Sequence, residues 1–184
     1  SIIDLCMLNN LRVLDIELIK SQGGSLRCYI GKKNIKRKSS SRINSILSME
    51  KKIGLYNTKK LENFKNKILN HIQELKNLIE DIKIKKKRIS IYGASGKGQA
   101  LMQFCNINGK LVDNVYDKSK LKQGKYTPST NIKIRNPKEI NSKKIDYLLL
   151  LSWNIKEEIL KQEKKFIKQG GKFIVPFPKP RILN

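Results

Sequence analysis

The chain of 184 residues is long enough for one ordinary domain with a buried core, or for one domain and a piece of another. Its net charge of +25 invites a nucleic-acid reading, but of its 40 basic residues 33 are Lys and only 7 are Arg, and the densest runs, 32–42 and 83–88, carry no interleaved aromatic rings on which bases could stack. A solvated lysine surface with no specific nucleic-acid partner is expected.

No apolar run approaches the roughly 20 residues of a membrane helix. The longest, Tyr147 to Leu151, has the length of a strand. A soluble, cytoplasmic protein without a membrane partner is expected. Cys6, Cys28 and Cys105 are odd in number and widely spaced, which offers neither a disulfide framework nor a zinc site. The lone His71 lies among polar residues without a second ligand and reads as a surface or flanking histidine of a helix.

The chain opens without Met on Ile2, Ile3, Leu5, Met7 and Leu8, a pattern that reads as the end of a helix stopped by Asn9-Asn10. No signal peptide is evident, and a fragment of a longer protein is expected. Residues 12–19 alternate as a strand, and a second strand follows over 25–30 after Gln22-Gly23-Gly24. Two strands are not stable alone, so this hairpin is expected to be the tail of a truncated domain. Residues 31–42 read as a linker, and Ile43, Ile46, Leu47 and Ile53 as a short helix. From Thr58 onward Leu61, Phe64, Ile68, Ile72, Leu75, Ile79 and Ile82 line one face of a long helix. That face could pack on the following domain, on a missing neighbour or on a coiled-coil partner.

The rest is organised around residues 88–107. Ile89, Ile91 and Tyr92 predict a buried strand, Gly93, Gly96 and Gly98 a tight turn, and Gln99 to Cys105 a helix. Unpaired amides at the start of such a helix favour an anion, with Ser95 and Lys97 beside it, and phosphate is the natural guest. The alternative is that the glycines only let helix and strand pack closely. A P-loop is excluded, because Ile91 stands at its first glycine and Gly98 at its hydroxyl position. The spacing Gly93-x-x-Gly96-x-Gly98 also departs from the dinucleotide fingerprint, which leaves a dinucleotide-binding oxidoreductase as a rival reading.

Residues 111–116 predict a second strand ending in Asp117 and Lys118, where a Rossmann-like unit holds a ribose hydroxyl. A long polar loop over 119–131 follows, then a short strand over 132–134 and a brief helix opened by Pro137. Residues 146–151 read as a fully buried parallel strand followed at once by Ser152, Trp153 and Asn154. Trp153 reads equally as a core residue or as a stacking wall. A helix over about 155–167, a Gly170-Gly171 cap and a last strand over 173–175 precede the prolines. The fold expected is α/β, a Rossmann-like doubly wound parallel sheet over 88–178, with its ligand crevice at the carboxyl ends of the strands.

These residues carry a resemblance. Gly23-Gly-Ser-Leu-Arg27, Tyr92-Gly-Ala-Ser-Gly-Lys-Gly98 with Phe104-Cys105, Asp117 with Lys122-Gln-Gly-Lys-Tyr-Thr-Pro128, Asp146-Tyr147 with Trp153-Asn154, and Gly170-Gly-Lys-Phe-Ile-Val-Pro176 occur in register. Together they resemble the C-terminal region of the S-adenosylmethionine-dependent C-methyltransferases of nucleotide-linked deoxysugars. In three places the chain departs from that pattern: Gln22 stands where relatives often carry His, Gly96 where another small residue is commoner, and Ser129 where a glycine follows the proline.

The resemblance implies a truncated methyltransferase domain ending over 1–31, a linker and long helix over 32–87, and a nucleotide-sugar-binding domain over 88–184. It places the zinc module, the S-adenosylmethionine site and the catalytic cluster upstream, so no cofactor, metal ligand or catalytic residue is expected here and the chain alone should be inactive. It implies that Gly93, Ala94, Ser95, Gly96, Lys97 and Gly98 face the diphosphate and that Asp117 and Lys118 face the ribose or base edge. Lys125, Tyr126, Trp153 and Asn154 would take the rest of the nucleotide-diphosphate sugar, and Ser25 and Arg27 would lie at the joint with the active site.

Overall fold

A computed structural model describes residues 1–142 and 144–183, with the side chains of Gln22 and Ser142 outside that description. The question of whether Gln22 replaces a functional histidine therefore falls outside the described residues. The chain divides into two compact units, Ser1–Lys65 and Asn66–Asn184.

In the first unit, α1 (Ile2–Leu8) starts on a capping box between Ser1 and Asp4 and ends at Asn9. The strands β1 (Leu11–Ile19) and β2 (Ser25–Lys32) pair antiparallel, with an irregularity between Val13 and Asp15. Helix α1 and helix α2 (Arg42–Ile53) pack on β1, which buries Val13, Leu14 and Ile16. Arg42 grips both carboxylate oxygens of Asp15, and Ser39 and Ser40 bond to the carbonyls of Val13 and Leu14, so the segment read as a linker is stitched to β1. That carboxylate is held below its ordinary pKa by Arg42 and the Ile16 amide.

Helix α3 (Thr58–Ile84) runs across the division between the units. The expected stripe is present but only its later part is covered: Ile72, Leu75, Ile79 and Ile82 join the core, while Leu61, Phe64 and Ile68 stay exposed.

The second unit holds a six-stranded sheet in the order β5-β4-β3-β6-β7-β8. Its strands are β3 (Ile89–Tyr92), β4 (Val115–Tyr116), β5 (Ile134–Arg135), β6 (Tyr147–Leu150), β7 (Lys172–Val175) and β8 (Arg181–Leu183). Counted from β3 this is the 3-2-1-4-5-6 order of a Rossmann-like fold. Four of the five pairings among these strands are parallel, and the fifth adds β8 antiparallel to β7 as an edge strand lying beyond the prolines that were expected to end the structure.

One row of residues crosses the sheet: Ile134, Val115, Ile91, Leu149 and Ile174 are in register and all buried. They belong to the core shared with α3 and α4 (Gly96–Phe104). The alternate residues Tyr92, Tyr116, Leu148, Leu150 and Phe173 form a second core with Ile140 and the helices α5 (Lys156–Gln162) and α6 (Lys164–Lys168). Near-continuous apolar strands such as Tyr147–Leu150 are what burial on both faces demands. The predicted helix over 155–167 is broken at Glu163, and the strand expected over 111–116 is ordered as β4 in its last two residues only.

Candidate functional site

The helices after β3 and β6 lie with different cores, so a crevice opens between the carboxyl ends of these neighbouring strands. Gly93 turns the chain there with φ 97 and donates its N–H to Tyr116 O at 2.7 Å. A Cβ on Gly93 would stand 2.2 Å from Ser152 Oγ, so only glycine lets the two strand ends come this close. Ser95 caps α4 by accepting from the Gly98 N–H at 3.1 Å, and its hydroxyl donates to Leu151 O at 2.9 Å. A Cβ on Gly98 would lie 2.6 Å from Leu151 Cβ, whereas one on Gly96 would meet nothing within 4 Å. Two of the three glycines thus serve close packing, and Gly96 with Lys97 forms the exposed lip of the turn.

Asp117, at the end of β4, holds this turn in place. Its Oδ2 accepts from the Ala94 N–H at 2.7 Å and from Lys122 Nζ at 3.3 Å, and its Oδ1 from the Ser119 N–H at 2.8 Å. Lys122 Nζ also donates to Ala94 O at 2.9 Å, and Gln123 to the Asp117 carbonyl at 2.9 Å. Asn136, just past β5, donates to Gln123 Oε1 at 3.2 Å. One hydrogen-bonded chain therefore links the loops after β3, β4 and β5.

A cavity of about 90 Å³ lies at the centre of the crevice, bounded by Gly93, Asp117, Lys118, Ser152 and Gln162. Beside it a cleft of about 500 Å³ is bounded by Lys118, Lys120, Gln123, Asn136, Lys138 and Glu163, and Gln162 lines both spaces. The buried Glu163 accepts the Tyr92 hydroxyl at 3.0 Å. Burial raises the pKa of its carboxyl, against the opposing pull of the Tyr92 hydrogen bond, and burial also raises that of Tyr92.

The other sequence-derived candidates are scattered more widely. Lys125 and Tyr126 are exposed on the loop after β4, where Tyr126 bridges to Lys133. Trp153 is half-buried against both cores and tilts over Phe177 at 4.7 Å, with Asn154 exposed beside it. His71 is a flanking residue of intermediate exposure: its ring stacks on Phe177 at 4.4 Å, its Nε2 is buried with no partner among the described residues, and burial lowers its pKa. In the first unit Ser25 Oγ donates to Ser21 O at 2.9 Å, and Arg27 is exposed, 3.4 Å from Glu17.

Sequence reading missed Lys120, Gln123, Asn136, Lys138, Gln162 and Glu163. For Glu163 a signal existed, since Ile159, Glu163 and Phe166 follow at i, i+4 and i+7 and put a carboxyl on an apolar helical face. Among the described residues no group of three or more His, Cys, Asp or Glu is placed to hold a metal ion, and no helix is long and apolar enough to cross a membrane.

Comparison with known proteins bears on this architecture. The family model of the C-methyltransferase C-terminal domain matches residues 20–178. The C-methyltransferase NovU of Streptomyces niveus is 30% identical over 176 residues, an alignment that covers 96% of this chain and 42% of that protein. The chain thus spans less than half the length of that relative. With a Rossmann-like sheet under a match that extends over most of its length, the chain belongs to the C-methyltransferase C-terminal domain family.

Proposed function

We propose that this chain is the substrate-holding part of an S-adenosylmethionine-dependent C-methyltransferase that acts on a nucleotide-linked keto-deoxysugar in the cytoplasm. The observation that carries the reading is the crevice at the switch between β3 and β6, where a Rossmann-like sheet takes a nucleotide and where lysines gather. The Gly93–Gly98 turn with Lys97 takes the diphosphate at the first turn of α4, and Lys118 takes the ribose or base edge, beside an Asp117 carboxylate that holds the turn through Ala94, Ser119 and Lys122. Lys125, Tyr126, Trp153 and Asn154 border the remaining nucleotide sugar.

The reaction proposed for the whole protein is methyl transfer to a sugar carbon made nucleophilic as the enolate of its neighbouring keto group. S-adenosylmethionine, bound by another part of the protein, supplies the methyl group, and a zinc module belongs to that other part as well. The residues of this chain fit adenosylmethionine poorly. Asp117, placed where an acidic side chain would take ribose hydroxyls, has both oxygens engaged by Ala94, Ser119 and Lys122. This chain's share is to bind and orient the substrate, with no proton transfer assigned to it.

In the same reading β1 and β2 close the sheet of the methyltransferase domain, with Ser25 and Arg27 at the joint. Support comes from Leu18, Leu26, Tyr29 and Ile30, apolar side chains that the ribbon leaves exposed.

Calorimetric titration with a thymidine-diphosphate sugar tests the proposal, run beside Lys97→Ala and beside a random oligonucleotide. Saturable binding that weakens about tenfold or more in the variant is expected, the size of a lost charge-assisted contact. Binding to the oligonucleotide alone, steeply reduced by salt, would replace this reading with an electrostatic one. Preference for a nicotinamide dinucleotide would replace it with the oxidoreductase reading.

A further inference from the structure

The cleft of about 500 Å³ beside the crevice has a chemistry of its own. Lys118 and Lys120 reach it from the loop after β4, and Lys138 from the short 3-10 helix Pro137–Ser142 after β5. Among the described residues the ammonium groups of Lys120 and Lys138 make no ion pair, and Lys118 Nζ is 4.0 Å from Glu158. The one buried carboxyl at the cleft, Glu163, is turned to the Tyr92 hydroxyl.

The walls are braced before any ligand arrives. Asn136 Oδ1 accepts from the Lys138 N–H at 2.9 Å while its amide nitrogen holds Gln123. A concave, low-dielectric surface of one sign focuses potential in a way that lysines spread over a convex surface do not.

We propose that this cleft is a second anion site, separate from the turn at Lys97, and that it takes a phosphate group through Lys120 and Lys138, with Lys118 at its border with the crevice. It rests on the nucleotide-sugar reading only for what carries that phosphate. The bearer is the bound substrate itself or a free phosphate species such as a released nucleotide.

The test is calorimetric titration of the full chain with inorganic pyrophosphate. The paired variant Lys120→Gln/Lys138→Gln is compared with Lys164→Gln/Lys165→Gln, which removes equal charge from exposed positions on α6 outside the cleft. The cleft pair should lose about tenfold or more in affinity and the α6 pair less than about twofold, as expected of charge-assisted contacts rather than of a general field. Equal losses in both pairs, or no loss in the cleft pair, would overturn the proposal.

Repeating the titration with the nucleotide sugar at saturation separates the two sources. Displacement assigns the phosphate to the substrate, and simultaneous binding assigns it to a separate anion. If the wild-type chain binds no nucleotide sugar but takes pyrophosphate in a cleft-dependent way, the substrate reading falls and this site stands.

Discussion

Strand β3 buries all four of its residues, whereas β2 buries none of its eight, although both are rich in strand-forming side chains. Pairing does not separate them, because β2 is paired with β1 from end to end, across the irregularity at Val13 and Asp15. Layering does. The sheet around β3 has a core on each face, while the ribbon is covered where α1 and α2 meet β1 and leaves Leu26, Tyr29 and Ile30 exposed. Local pattern is enough to make a strand, but only a second layer makes a core.

The sharpest way to break this comparison is to cut the same side chain in both places. Leu149→Ala, at the fully buried centre of the sheet, should cost about 2–5 kcal/mol by chemical denaturation. Leu26→Ala in the ribbon should stay within about 0.5 kcal/mol. Comparable losses would mean that the ribbon acquires a cover in solution. A smaller contrast lies within the glycine turn. Gly98→Ala drives a methyl against Leu151 and should cost about 1–3 kcal/mol, whereas Gly96→Ala has open space and should be neutral or gain up to about 1 kcal/mol. The reverse order would show that α4 and the end of β6 are not in close contact.

Smallest is a gain inside the sheet. The Tyr116 hydroxyl is buried with no partner among the described residues, and burial pushes its pKa up to about 12. Tyr116→Phe removes the orphaned group and should raise stability by about 1 kcal/mol. A loss measured by thermal melting would show that the hydroxyl has found a bonding partner.

Much of this fold is legible in the chain because burial on both faces leaves a strong mark. Residues 89–92, 147–150 and 173–175 are short segments, apolar except for Ser90, and each lies in a strand of the sheet. Strand β8 escaped notice since Arg181–Leu183 is an edge with mostly exposed side chains, and edges need no such pattern. The stripe on α3 predicted a helix correctly but could not say which part of it would be covered, because a stripe is the same whether or not a neighbour is present.

The site was legible only at its centre. Gly93 and Asp117 advertise themselves by type and by position after a strand. Lys120 and Lys138 do not, because in a chain with 33 lysines no single lysine stands out until folding sets it in a concavity. The stacking of His71 was illegible for a related reason: its ring partner Phe177 is more than 100 residues away and invisible to local pattern.

Asp117 has a further consequence. A carboxylate whose side chain is 13% exposed, tied at once to the backbone after β3, to the backbone after β4 and to Lys122, works like a rivet through two plates. These two loops cannot part without stranding a charge away from water. On the reading proposed above, a substrate would meet one wall of the crevice already set at folding, and ordering that wall would add little to the cost of binding.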